Sequence, residues 1–178
     1  MQSPGRYTLT AIALHWLLAL AILATFAVGL YMTSLSFSPT RLKLFNWHKW
    51  AGVSILALSA LRLLWRLWHR PPAEPPMPAW QRQSARATHG LLYILFFSVP
   101  LAGWAYSSAS GFPIVVFGVL PLPDWVPVNR ELADGLKLLH HWLAYTLAAL
   151  VVLHVAAALK HHFIDRDGLL TRMRPGRT

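Results

Sequence analysis

Four long runs of apolar residues, separated by shorter polar segments, organise this chain. Each run has about the 20 residues that a helix needs to cross the hydrocarbon core of a bilayer. Within hydrocarbon every backbone polar group must be satisfied inside the segment, so we expect the runs to be helices. Their approximate bounds are Leu9 to Met32, Asn46 to Trp68, Thr88 to Ser107 and Leu136 to Lys160. The pattern predicts an all-α membrane protein, a four-transmembrane-helix bundle in which residues 1–178 form a single domain.

The three connections differ in character. Residues 33–45 are expected to form a short loop, and the Pro-rich segment 70–78 is expected to form a stiff linker. Residues 107–135 form the longest connection, in which Asn129 is a candidate helix cap. We expect a partly ordered cap with a short helical turn lying on the bundle. Pro100 predicts a kink in the third helix.

The composition supports a membrane protein and excludes several cofactors. Charged residues make up 12% of the chain, against about 25% in soluble domains. There is no cysteine, which excludes disulfides, iron–sulfur clusters and covalently attached c-type haem. Any haem must therefore be held by axial ligands and non-covalent contacts.

The net charge of +10 is distributed unevenly along the chain. Eleven basic residues lie in the start, the second connection and the tail: Arg6, Arg62, Arg66, Arg70, Arg82, Arg86, Lys160, Arg166, Arg172, Arg174 and Arg177. The other side carries five: Arg41, Lys43, Lys49, Arg130 and Lys137. The positive-inside rule therefore predicts that both termini are cytoplasmic. Because the charges flank membrane spans, we do not expect a nucleic-acid partner.

Four histidines within or at the ends of the apolar runs are the candidate chemistry. His140 and His154 are fourteen residues apart, so they face the same side of one helix, about 21 Å apart along its axis. His15 and His154 have similar predicted depths near the inner side, while His48 and His140 share the outer side. Haem iron takes one neutral imidazole on each axial face. The two pairs thus predict two b-type haems, and a small residue follows each histidine by four positions: Ala19, Gly52, Ala144 and Ala158.

The remaining histidines have open roles. His141 is an alternative to His140 as a ligand, because it is one position further along the same helix. His89 and His161 lie near the inner ends of helices three and four, where they are either interfacial residues or contacts for a quinone and its protons. The role of His162 is open, and His69 is expected to be solvated.

Several short motifs, in this order, carry a resemblance to a known family. They are Leu14-His15-Trp16, Asn46-Trp-His48 with Gly52-Val-Ser-Ile, Leu61-Arg-Leu-Leu-Trp-Arg66, His89-Gly-Leu-Leu-Tyr93, Leu136-Lys-Leu-Leu-His140, Leu153-His154-Val-Ala-Ala-Ala and His161-His162-Phe. Together they cover nearly the whole chain, and it resembles the small bacterial cytochrome b561 family. The resemblance implies two haem b groups with ligands His15, His48, His140 and His154. It also implies a superoxide oxidase of the bacterial inner membrane that reduces ubiquinone.

Within that hypothesis, the basic outer side suggests how superoxide is attracted. Lys49 and Lys137 lie within three residues of an outer histidine, and Arg41 adds a third positive charge. Fixed charges of this kind raise the encounter rate of an anion. Two alternatives remain open: a cytochrome b subunit that links quinone to a separate dehydrogenase or hydrogenase, and a haem-free channel or scaffold.

Overall fold

The computed structural model describes residues 5–73 and 76–174, which form four long helices and a small hairpin. The helices are α1 (Leu9–Ser34), α2 (Pro39–Trp68), α3 (Ala79–Ala109) and α4 (Arg130–Lys160). All four are long and apolar enough to cross a membrane, which confirms the predicted fold class. Residues 1–4, 74–75 and 175–178, including part of the predicted linker and Arg177, lie outside the described residues.

Three of the helices begin well before the apolar runs that predicted them. The Ser38 side chain accepts a hydrogen bond from the backbone nitrogen of Arg41, and Pro39 occupies the first turn of α2. Such a cap starts a helix whatever the hydropathy of the residues that follow. The predicted loop over residues 33–45 is therefore wrong from residue 39 onward. Pro100 lies within α3, which continues through it.

The longest connection contains a β-hairpin in place of the predicted short helical turn. Strands β1 (Val115–Val116) and β2 (Leu120–Pro121) pair antiparallel. The helical turn after Asn129 is instead the first turn of α4, because the Asn129 side chain caps that helix by accepting from the nitrogen of Leu132. The prediction of a separate turn was wrong because the cap belongs to a long helix.

The helices pack in chain order around an apolar centre. All four contribute to the core, whose members are Leu18, Ile22, Ile55, Leu92, Leu95 and Leu147. Among the described residues, the backbones of α1 and α2, α2 and α3, and α3 and α4 approach closely. The backbone of α4 lies farther from α1 and α2 and meets α1 through side chains, such as the rings of Tyr145 and Phe26, whose centres are 5.6 Å apart. Many large apolar side chains point outward, as expected for a lipid-facing surface, and Val152 is 69% exposed.

After α4 the chain folds back across the end of the bundle where α1 begins, which we call the inner end; the end with the hairpin is the outer end. A π-helical turn (His161–Asp165) is followed by a 3-10 turn (Leu170–Met173). The indole of Trp16 donates to the carbonyl of Met173 at 2.8 Å, and Arg172 donates to the carbonyl of Ala73 at 2.6 Å. The tail thereby joins α1 to the linker between α2 and α3.

Candidate functional site

At the outer end, the imidazole rings of His48 on α2 and His140 on α4 face each other. Their centres are 6.1 Å apart and their planes lie at 85°. Both residues are half-buried. The pair therefore bridges the space between α2 and α4.

The ring of His48 is held against α1 by a carbonyl and a glycine. Its Nδ1 donates to the backbone oxygen of Thr25 at 3.1 Å. A Cβ at Gly29, four residues later, would lie 3.1 Å from Cε1 of His48. The missing side chain leaves room for the ring, and the hydrogen bond fixes the proton on Nδ1, so that Nε2 keeps its lone pair for a metal.

His140 is held against α3 in the same way. Its Nδ1 donates to the backbone oxygen of Val99 at 2.9 Å, and a Cβ at Gly103 would lie 3.0 Å from its Cε1. Again the carbonyl and the glycine are four residues apart, which places them on one face of a helix. Each outer histidine thus has the same carbonyl–glycine cradle on a neighbouring helix.

At the inner end, His15 on α1 faces His154 on α4. Their ring centres are 6.2 Å apart, and the ring of His89 on α3 lies 5.4 Å from that of His154. Arg62 on α2 donates from Nη1 to Nδ1 of His15 at 2.8 Å. The inner site therefore combines three imidazoles with a guanidinium group.

Both pairs have the dimensions that a bis-histidine haem requires. An iron atom bonded to two imidazole nitrogens at about 2 Å each separates the ring centres by about 6 Å. The observed separations are 6.1 and 6.2 Å. The buried hydroxyl of Ser59, three residues before Arg62, has no hydrogen-bond partner among the described residues. The residues present fit b-type haem, and the ligand roles of the four histidines stay a prediction.

The three cations expected at the outer side have different surroundings. Nζ of Lys49 donates to the carbonyl of Phe112 at 3.0 Å, so this lysine fastens the outer connection to α2. The guanidinium of Arg41 lies 5.6 Å from the ring centre of Phe45. Lys137 is exposed and lines a cavity of about 270 Å³ together with Arg130 and Asp134, among other residues.

The remaining histidines are set apart from the outer pair. His141 is exposed, and its ring packs 4.6 Å from that of Tyr145, so His140 is the residue opposite His48. His161 lies in the π-helical turn, where Nδ1 is 2.6 Å from a carboxylate oxygen of Asp167.

Two further histidines, His69 and His162, pack against aromatic side chains, and these contacts were not predicted from the sequence. His69 is exposed, as expected, and stacks on Trp65 at 3.9 Å. The exposed His162 packs against Phe163 at 4.7 Å, and its role stays open.

Three residues of the site were not predicted from the sequence: Arg62, Gly29 and Gly103. Arg62 follows the buried residues Ile55 and Ser59 by seven and three positions, so all three share one face of α2. In the sequence this spacing was only a partial signal, because the burial of Ile55 and Ser59 is known from the structure. The glycines gave a weaker signal, because glycine is common in membrane helices.

A four-helix membrane bundle with one histidine pair near each end is characteristic of membrane b-type cytochromes. The family model described as prokaryotic cytochrome b561 matches residues 6–176. The chain belongs to this family. It is accordingly a multi-pass bacterial membrane protein that binds b-type haem and transfers electrons.

Three curated relatives match over nearly their full lengths. "Cytochrome b561 homolog 2" of Escherichia coli (strain K12) is 39% identical over 176 residues, covering 97% of this chain and 93% of that protein. "Cytochrome b561 homolog 1" of the same organism is 35% identical over 182 residues, covering 97% and 99%. "Probable superoxide oxidase CybB" of Yersinia pestis is 33% identical over 173 residues, covering 96% of each chain.

Proposed function

We propose that residues 1–178 form one di-haem domain, with His48 and His140 as ligands of an outer haem and His15 and His154 as ligands of an inner haem. The observation that carries this proposal is the spacing of the two ring pairs, 6.1 and 6.2 Å. When bound, haem supplies the one-electron chemistry of its iron. The protein supplies axial imidazoles at two depths of the bilayer.

We further propose that the protein transfers electrons from periplasmic superoxide to ubiquinone in the bacterial inner membrane. Two superoxide anions each lose one electron and become dioxygen, and ubiquinone takes up the two electrons with two protons to become ubiquinol. The excess of basic residues at the inner end supports cytoplasmic termini and therefore a periplasmic outer pair. The similarity to the Yersinia pestis protein supports superoxide as the electron donor.

The cations at the outer end would attract the anion. Lys137 has an exposed side chain one helical turn before His140, and Arg41 adds charge nearer the start of α2. Lys49 contributes its charge while holding the backbone of Phe112. Field-focusing by such groups raises association rates by about ten- to a thousandfold.

At the inner end, His89 and His161 are the groups proposed for quinone binding and proton transfer. His89 lies beside His154 and is exposed on the flank of the bundle, where a lipid-soluble quinone has access. His161 is held by Asp167 near the end of α4. An imidazole that is hydrogen-bonded to a carboxylate can accept a proton and pass it on.

The test is turnover by the purified holoprotein alone. In detergent or proteoliposomes, a steady source of superoxide with ubiquinone should yield ubiquinol much faster than the spontaneous reaction measured with heat-denatured protein. Superoxide consumption or ubiquinol formation no faster than in that control would contradict the proposed activity.

A charge reversal at Lys137 tests the steering of superoxide. We expect Lys137→Glu to lower kcat/KM for superoxide about tenfold at low ionic strength, with a smaller loss at high salt because screening weakens the attraction in the parent protein. The matched control is Lys43→Glu, the same charge change on an exposed residue of α2 farther in sequence from an outer histidine. Equal losses in both variants would show that net charge matters and the position of Lys137 does not.

A second candidate function is a cytochrome b subunit that passes electrons between quinone and a separate dehydrogenase or hydrogenase. It is favoured by large apolar side chains exposed on the outer connection: Phe112, Phe117, Val119, Leu120, Trp125 and Val128. Apolar patches outside the lipid-facing surface are typical of docking sites for other proteins. This candidate predicts two haems but no superoxide-dependent quinone reduction by the isolated chain.

A further inference from the structure

The two histidine pairs differ in the groups that their Nδ1 atoms meet. At the outer pair, Nδ1 of His48 and Nδ1 of His140 each donate to a backbone carbonyl. At the inner pair, Nδ1 of His15 meets Nη1 of Arg62 at 2.8 Å. A carbonyl only accepts hydrogen bonds and a guanidinium only donates them. The Nδ1 atoms of the two outer histidines therefore face hydrogen-bond acceptors, whereas Nδ1 of His15 faces a positively charged donor.

Arg62 is fixed beside the inner pair by a residue of α3. Its Nε donates to the hydroxyl of Tyr93 at 3.2 Å, and its guanidinium lies 5.9 Å from the centre of that ring. Among the described residues no carboxylate lies within ion-pair distance of Arg62. At the outer end, by contrast, Lys137 shares its cavity with Asp134. Within the described part of the chain, the charge of Arg62 itself is thus not compensated by an ion pair.

These surroundings have opposite effects on the reduction of a ligated iron. Reduction adds one negative charge, so a nearby guanidinium favours the reduced state. An imidazole whose Nδ1–H donates to a carbonyl is a more basic ligand, which favours the oxidised state.

From this contrast we propose that Arg62 sets the reduction potential of the inner site above that of the outer site, so that electrons move downhill from the outer to the inner end. The proposal rests on the di-haem assignment made above.

Arg62 acts on the reduction potential of the inner site through its charge, and not through the hydrogen bond to His15. A neutral His15 that binds iron through Nε2 keeps a proton on Nδ1, and Arg62 has no lone pair to accept it. Arg62 must then turn away from Nδ1, while the Tyr93 hydroxyl keeps it within the site. The effect should therefore survive in Arg62→Lys and be lost in Arg62→Met.

The test is a redox titration of the purified holoprotein followed by its visible spectrum. The parent should show two midpoints, and the single-site variants His15→Ala and His48→Ala should assign the higher one to the inner site. In Arg62→Met we expect the higher midpoint to fall by at least a tenfold change in the reduction equilibrium, about 59 mV for one electron. The lower midpoint should not move.

Two further variants separate charge from structure. Arg62→Lys should keep the higher midpoint close to that of the parent. Arg66→Met removes a guanidinium that lies 5.5 Å from the same Tyr93 ring but has no hydrogen bond to His15, so it should have the smaller effect. Haem content is measured for every variant, so that a loss of haem is not mistaken for a shift in potential.

The outcomes distinguish this proposal from the proposed function. One haem per chain in the parent protein would overturn both. Two haems with midpoints that Arg62→Met leaves unchanged, or with the higher midpoint at the outer site, would overturn this proposal alone. Two haems, the expected shift and no superoxide-dependent quinone reduction would support this proposal and contradict the proposed activity.

Discussion

Replacing His140 by alanine should reduce the haem content of the purified protein from two per chain to one. The variant loses one of the two axial ligands of the outer site, and with only the bond from His48 left we expect the non-covalent haem to be lost during purification. The same loss is expected for His48→Ala, whereas His15→Ala and His154→Ala should lose the inner haem. Haem extracted and quantified per mole of protein, with reduced-minus-oxidised spectra, measures the effect.

The neighbour of His140 provides a matched control for this experiment. His141 is exposed and packs against Tyr145, so His141→Ala should retain both haems. The double variant His140→Ala/His154→Ala removes one ligand from each site and should be colourless. Two haems retained in His140→Ala, or one lost in His141→Ala, would show that the ligand at this depth has been assigned to the wrong residue.

The second large effect is expected when the glycine of a carbonyl–glycine cradle is replaced by a larger residue. A Cβ at Gly103 would lie 3.0 Å from Cε1 of His140, which is closer than nine in ten such contacts in proteins. Gly103→Ala should therefore displace the ring from the Val99 carbonyl and weaken retention of the outer haem severalfold, and the larger Gly103→Leu should abolish it. Retention is measured by the haem content after transfer to apomyoglobin as a haem acceptor.

Helix propensity separates this effect from general destabilisation. Alanine in place of a helical glycine usually stabilises the helix by about 1 kcal/mol, so any loss must come from the contact with the ring. Gly90 lies on the same helix, and a Cβ added there would have no neighbour within 4 Å, so Gly90→Ala should retain both haems. Equal haem loss in Gly90→Ala and Gly103→Ala would mean that the cradle is not what holds His140.

The sequence predicted the spans and the pairing of the histidines because both depend on regular spacing. Apolar runs of bilayer length identify the helices, and the fourteen-residue interval places His140 and His154 on one face of α4. The helix starts were predicted poorly, since the cap Ser38 lies outside the apolar runs. Asn129 was correctly predicted as a cap, but the helix that it begins is α4 and not a separate turn. A hydropathy pattern reports where lipid is contacted, and the helix continues beyond that region.

The cradles and Arg62 depend on contacts between helices, which spacing alone does not determine. Nothing in the sequence shows that the carbonyls of Thr25 and Val99 meet imidazoles from other helices. Arg62 belongs to a basic and aromatic run at the end of a span, a position usually explained by anchoring at the membrane surface. Its hydrogen bond to His15 becomes evident only when α1 and α2 are packed together.

The position of both histidine pairs between α4 and the helices α1 and α2 has a consequence for how the protein is made. Two bound haems would add to the attraction that the shared apolar core provides between these helices. A ligand that binds only the folded chain stabilises it in proportion to the logarithm of its free concentration. Cells short of haem should therefore accumulate less of this protein at an unchanged rate of synthesis, because chains that lack the cofactor are less stable and are degraded faster by membrane proteases.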